Sequence, residues 1–184
     1  QSPAVQKRLE QAAKGAAVGE ICVVAGPGMD EVAGAAKSAD LGLQVFTQAE
    51  QRGTADAVRA AQGAFVGFSG PVIILYGDTP LLRAETIGQL SRALADGADI
   101  VVVGFETDDP TGYGRLLLDE RGRLVAIREE KDASEEVRAV KLCNSGIMGF
   151  RSGKTLTDLL SRIGNANAKG EFYLTDAIAL AKAD

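Results

Sequence analysis

Short apolar runs alternate with amphipathic stretches along the whole chain, and this alternation restricts the fold more than any other feature. The runs at 21–25, 43–47 and 72–76 are strand-sized, and the segments between them repeat their apolar residues at helical spacing. Strands that alternate with helices are covered by those helices on both faces, which is the α/β arrangement. The run Val-Ile-Ile-Leu-Tyr at 72–76 is the most apolar and is expected to be a central parallel strand. Helices are expected at 5–13, 29–37, 55–62, 84–95, 155–163 and 175–182. In the second half a strand at 99–105 is followed by two segments that meet across Glu120–Gly122 as a hairpin, and then by a strand at 141–150. With 184 residues, no linker and no internal repeat, the chain is expected to form one doubly wound α/β core with an antiparallel insertion. Ligands of such sheets sit beyond the carboxyl ends of the strands.

Composition removes whole classes of function. Twenty Lys and Arg against 25 Asp and Glu give a formal charge of −5, so the surface repels nucleic acid and anionic membranes, and any bound phosphate needs a local site. No run approaches a membrane span and the first residues lack the apolar core of a signal peptide, so a cytoplasmic protein is expected. Histidine is absent, which excludes His bases and His-ligated metals. The two cysteines, Cys22 and Cys143, lie in apolar runs and are expected to be buried thiols. The remaining chemistry belongs to carboxylates, amides, hydroxyls, backbone N–H groups, Lys, Arg and an oxygen-held cation.

Several constellations could carry that chemistry. Asp78 follows Tyr76 and Gly77 at the end of the 72–76 run; it either holds Mg²⁺ that bridges phosphate oxygens or caps the helix near Leu81. Gln48, Gly53 and Thr54 follow the 43–47 run, with an amide that could read a base edge, a glycine that permits close approach, and a threonine that equally suits an N-cap. The glycines around Tyr113 at 109–115 suit a ligand-facing turn or a plain one. Glu129 and Asn144 could grip sugar hydroxyls or an N-acetyl group, whereas Glu130, Lys131, Asp132, Glu135 and Glu136 read as a solvated face. Thr175 and Asp176 open the last helix as caps, or Thr175 faces a substrate.

The order and separation of these motifs resemble one family. Residues 48–55, 75–81, 108–115, 129–133, 143–147 and 170–176 together are similar to the N-terminal uridyltransferase domain of bacterial N-acetylglucosamine-1-phosphate uridyltransferases. The resemblance implies a Rossmann-like nucleotidyltransferase fold, a three-layer mixed sheet of the glycosyltransferase-A type. It implies that Gln48, Gly53 and Thr54 read uracil, that Tyr76 and Gly77 line the nucleotide sugar and phosphates, and that Asp78 holds Mg²⁺. Gly114, Glu129, Asn144 and Thr175 would contact the N-acetylglucosamine moiety. The implied reaction moves UMP from UTP to N-acetylglucosamine 1-phosphate, giving UDP-N-acetylglucosamine and pyrophosphate. Positioning and charge neutralisation dominate such chemistry, which suits a chain without histidine.

Residues 1–20 contain no counterpart of the family's first strand or of its glycine-rich loop with Arg and Lys. The Asn that serves as second metal ligand and the acetyltransferase β-helix domain, the usual basis of a homotrimer, have no counterpart either. The implied unit over 1–184 is therefore a nucleotidyltransferase domain incomplete at both ends, with little pyrophosphorylase activity expected of these residues alone. A catalytically silent sugar-nucleotide-binding module, and a nucleotidyltransferase for another sugar or base, remain the alternatives.

Overall fold

A computed structural model describes residues 19–29, 34, 43–77 and 82–183. The helix expected at 5–13, most of that expected at 29–37, and Asp78 lie outside the described residues. Strands β1 (Cys22–Ala25) and β2 (Gln44–Thr47) pair in parallel, with Val24 opposite Phe46. Helices α1 (Thr54–Ala60) and α2 (Gln62–Phe65) lead to β3 (Val72–Ile74), followed by α3 (Ala84–Ala95) and β4 (Ile100–Glu106). Strands β5 (Arg115–Leu118) and β6 (Leu124–Arg128) form the expected hairpin. Its turn is closed by the Asp119 carboxylate, which accepts from the Arg121 and Arg123 N–H groups, and by Gly122 at φ 73°. A 3-10 turn at Glu130–Asp132, helix α4 (Glu135–Arg138), β7 (Leu142–Phe150), α5 (Gly153–Arg162), a second 3-10 turn at Leu174–Asp176 and α6 (Ala177–Lys182) complete the order.

The nine residues of β7 organise the larger sheet. β4 runs antiparallel along it, while β3 (at Met148–Phe150) and β5 (at Cys143) also pair with it antiparallel. The 72–76 run is thus not the central parallel strand its composition suggests: only Val72–Ile74 is strand, it pairs antiparallel with β7, and it is half-buried. β7 takes the central place: it pairs with β3, β4 and β5, and its Cys143, Ile147, Met148 and Phe150 are all buried. Among the described residues, β1 pairs only with β2, and parallel pairing is confined to that small sheet.

One large core joins β7 to the helices. Met148, Phe150, Leu156, Leu160, Leu174 and Ala177 are essentially inaccessible, with Phe65 and Val58 packed against them. Ser152 caps α5, its Oγ accepting from the Thr155 N–H at 3.1 Å. On the other face Ile87 of α3 packs against Ile21, Ile73, Leu75 and Leu82, so one side chain bridges the two sheets. Cys143 is buried as expected, but Cys22 is exposed, because it begins β1 on a strand flanked on one side only among the described residues.

Candidate functional site

Gln48 extends the parallel ladder by one step, its backbone N–H donating to Ala25 O at 2.9 Å. This carries the nearly buried side chain past the carboxyl end of β2, where Nε2 donates to Gly53 O at 3.2 Å and to Asp56 Oδ2 at 3.1 Å. Gly53 occupies φ 114°, ψ 175°, a region open in practice only to glycine. A Cβ there would lie 2.5 Å from Phe172 O and 2.8 Å from Phe172 N. Thr54 does not cap α1: it is the first helical residue, and its Oγ1 accepts from the Leu174 N–H at 2.9 Å. Phe172 N–H donates to Arg52 O and Phe172 O accepts from Ala55 N–H, so residues 52–55 and 172–174 form a hydrogen-bonded clasp.

The clasp delivers Thr175 to the second half of the site. Asp176 occupies the N-cap position of α6 but makes no side-chain capping bond, and Thr175 is no cap: its Oγ1 donates to Glu129 Oε1 at 3.0 Å. Gly114 lies against the same carboxylate, since a Cβ there would sit 3.4 Å from Glu129 Oε1 and 3.2 Å from Ile127 Cγ2. Asn144 donates its N–H to Gly114 O at 2.8 Å and accepts from Gly146 N–H at 3.0 Å through Oδ1. Gly146, at φ 81°, admits the Tyr76 ring against its backbone, with Gly77 in the turn beyond. A register shift between Val102 and Gly104 bends β4 opposite this stretch of β7, and Ser145 Oγ donates to Val103 O there. The sequence-predicted residues therefore fall into two groups, Gln48–Gly53–Thr54 and Gly114–Glu129–Asn144–Thr175 with Tyr76, joined through Phe172–Leu174.

Burial pushes the Glu129 carboxyl above its ordinary value, and the Thr175 hydrogen bond offsets only part of this. A native carboxyl raised above its unfolded value binds more protons than the unfolded chain, so the stability it contributes is present at low pH and is lost as pH rises through the raised value. Glu129→Gln is therefore expected to flatten the decline of unfolding free energy above the ordinary glutamate range, measured by urea titration from pH 4 to 8. An unchanged pH slope would remove Glu129 as its source.

Several residues of the site escaped the sequence reading. Arg115, 1% exposed, donates to Tyr113 O and to Arg138 O and pairs with Glu130 at 3.0 Å. Lys131, Glu135 and Glu136 are exposed as expected, whereas the partly exposed Glu130 and Asp132 are also tied to the fold: Glu130 Oε2 accepts from Gly112 N–H at 2.9 Å, and Asp132 Oδ1 accepts from Ala168 N–H at 2.8 Å. Arg59 donates to Leu160 O and Ile163 O at the end of α5 and lies 4.6 Å from the Phe172 ring centre, so it braces the clasp from behind. Burial pushes the Tyr173 hydroxyl up to about 12, with the carboxylates of Asp132 and Glu171 adding to it. The available signal for Arg115 was a lone cation in an otherwise apolar strand, directly after a glycine.

Two solved structures share this architecture. UDP-glucose pyrophosphorylase complexed with UDP-glucose superposes with a TM-score of 0.73 at 15% identity, over 98% of this chain and 75% of that one. An apo UDP-glucose pyrophosphorylase gives 0.70 at 12% identity, over 96% of this chain and 74% of that one. The fold is that of the Rossmann-like nucleotidyltransferases. Residues 3–141 match the MobA-like NTP transferase domain, and the chain belongs to that family. It is also 50% identical over 172 residues to the bifunctional protein GlmU of Agrobacterium fabrum and 52% identical over 164 residues to that of Azorhizobium caulinodans. These matches cover 94% and 89% of this chain but 38% and 36% of the relatives, so the chain spans little more than a third of their length.

Proposed function

We propose that this domain is a uridyltransferase that joins UMP from UTP to N-acetylglucosamine 1-phosphate and releases pyrophosphate. The observation that carries the reading is the path of hydrogen bonds and peptide links from Gln48 through Gly53, Thr54, Leu174 and Thr175 to Glu129. A base reader and a sugar reader held on one rigid path match a ligand with a base at one end and a sugar at the other. Gln48, Gly53 and Thr54 take the uracil edge, where a fixed amide and a close backbone favour a pyrimidine. Gly114, Glu129, Asn144 and Thr175 take the sugar: the carboxylate accepts from ring hydroxyls, and Gly114 leaves room beside it. Tyr76 and Gly77 flank the sugar and phosphates of the nucleotide between them.

In the proposed reaction a phosphate oxygen of the sugar phosphate attacks the α-phosphorus of UTP in line, and the bond to the pyrophosphate oxygen breaks. The groups named here would hold the two reactants at that geometry, and no protein group needs to take a proton. Asp78 would hold Mg²⁺, since one carboxylate with phosphate oxygens and waters is a donor set this ion accepts. Bound there, the ion would neutralise charge developing on the phosphates. A cytoplasmic setting and a homotrimeric parent protein accompany this proposal.

Calorimetric titration tests the reading. UDP-N-acetylglucosamine is expected to bind more tightly than UDP-glucose, and Gln48→Ala and Glu129→Ala are each expected to weaken it by about tenfold or more, as truncation of a polar contact does. Equal affinity for both sugar nucleotides, or no loss in either variant, would overturn the assignment.

A further inference from the structure

We infer that Glu130 is a positioning residue for the sugar half of the site, acting through Gly112 and Arg115 on Gly114 rather than by touching ligand. This rests on the proposed function for the identity of the sugar. Glu130 Oε2 receives two donors from one loop, the Gly112 N–H at 2.9 Å and Arg115 Nη2 at 3.0 Å, and so straddles both ends of the segment that contains Gly114. Arg115 is held in turn by carbonyls on either side, Tyr113 O and Arg138 O, and is sealed from solvent.

The fixed segment has a defined outlet. Gly114 O receives the Asn144 N–H at 2.8 Å, and the bare Cα of Gly114 faces the Glu129 carboxylate. Glu129 is the chain neighbour of Glu130. Glu129 lies against Gly114, and Glu130 holds Gly112 and Arg115 on either side of that glycine. If the carboxylate of Glu130 is lost, Gly112 N–H returns to solvent and Arg115 keeps only carbonyl partners, so the loop is free to move away from Glu129 and Asn144. The nucleotide half, anchored through Phe172 and Leu174, does not depend on this link.

The test compares UDP-N-acetylglucosamine with UDP by calorimetry, and reads backbone amide exchange by NMR, in wild type, Glu130→Ala and Glu130→Gln. Glu130→Ala is expected to weaken UDP-N-acetylglucosamine by about tenfold while leaving UDP within about twofold, because one charge-assisted restraint on the sugar side is lost. Faster exchange of the Gly112 and Asn144 amides is expected without ligand, and Glu130→Gln, which keeps an oxygen for Gly112, should fall between wild type and Glu130→Ala in both measurements. A merely structural role would weaken both ligands together. Wild-type affinity in Glu130→Ala, equal losses for the two ligands, or unchanged amide exchange would each overturn the inference. If wild type binds neither ligand, the proposed function fails and the exchange result alone decides whether Glu130 positions the loop. If Glu130→Ala does not fold, Glu130→Gln decides by the same criteria.

Discussion

Gly53→Ala is expected to lower the melting temperature by about 6–12 °C, from about 3 kcal/mol at the 2–4 °C per kcal/mol of a domain this size, and to abolish sugar-nucleotide binding. Two costs coincide at this residue. A side chain at φ 114°, ψ 175° is strained wherever it occurs, and here Cβ would also meet Phe172 O at 2.5 Å and Phe172 N at 2.8 Å. Those atoms are backbone, so no rotamer change relieves the overlap. Relief requires residues 172–174 to withdraw, which breaks the Phe172 and Leu174 hydrogen bonds to residues 52–55 and displaces Thr175 from Glu129. Gly122→Ala is the matched comparison: its φ is 73° but nothing lies within 4 Å of the added carbon, so only the backbone strain of about 1–2 kcal/mol remains. Thermal unfolding followed by circular dichroism, with calorimetry of UDP-N-acetylglucosamine, separates the two variants. Equal losses in both would refute the close contact with Phe172 as the cause.

Helix α3 was legible to the residue, Ala84–Ala95, because Ile87, Leu90 and Leu94 recur on one face and all become buried. The hairpin was legible because Asp119 and Gly122 supply its turn locally. By contrast, the apolar run at 72–76 gives no information about its partner, and pairing with β7 makes most of it a half-buried antiparallel strand rather than the buried parallel one that composition favours. The hydroxyls of Thr54 and Thr175 fit the rule for helix caps, yet both bond across the fold instead, to Leu174 and Glu129. Local sequence offers each hydroxyl a nearby N–H; tertiary packing supplies a different partner far away in the chain. The same limit hid Glu130, whose partner Gly112 is 18 residues distant and whose neighbours are all charged.

Arg115→Ala is expected to destabilise the domain by about 3 kcal/mol, because the guanidinium is sealed from solvent and its removal leaves buried carbonyls without their donors. The removed guanidinium serves three acceptors on separate segments: Tyr113 O in the glycine loop, Arg138 O after α4, and the Glu130 carboxylate. Glu130 keeps the Gly112 N–H, whereas the two carbonyls lose the guanidinium, and the vacated volume lies where β5 meets β7, beside buried Cys143. Arg115→Lys is not a remedy, because one ammonium cannot span acceptors that the planar fork reaches at once. A double-mutant cycle with Glu130→Ala isolates the pair from the packing loss. Removing both charges leaves no unpaired ion, so the double variant should be more stable than the sum of the single losses predicts by about 1 kcal/mol or more. Urea titration of the four proteins measures this directly. Strict additivity would show that the stability of Arg115 comes from its packing and its bonds to the two carbonyls, and that Glu130 adds nothing to its hold on the loop.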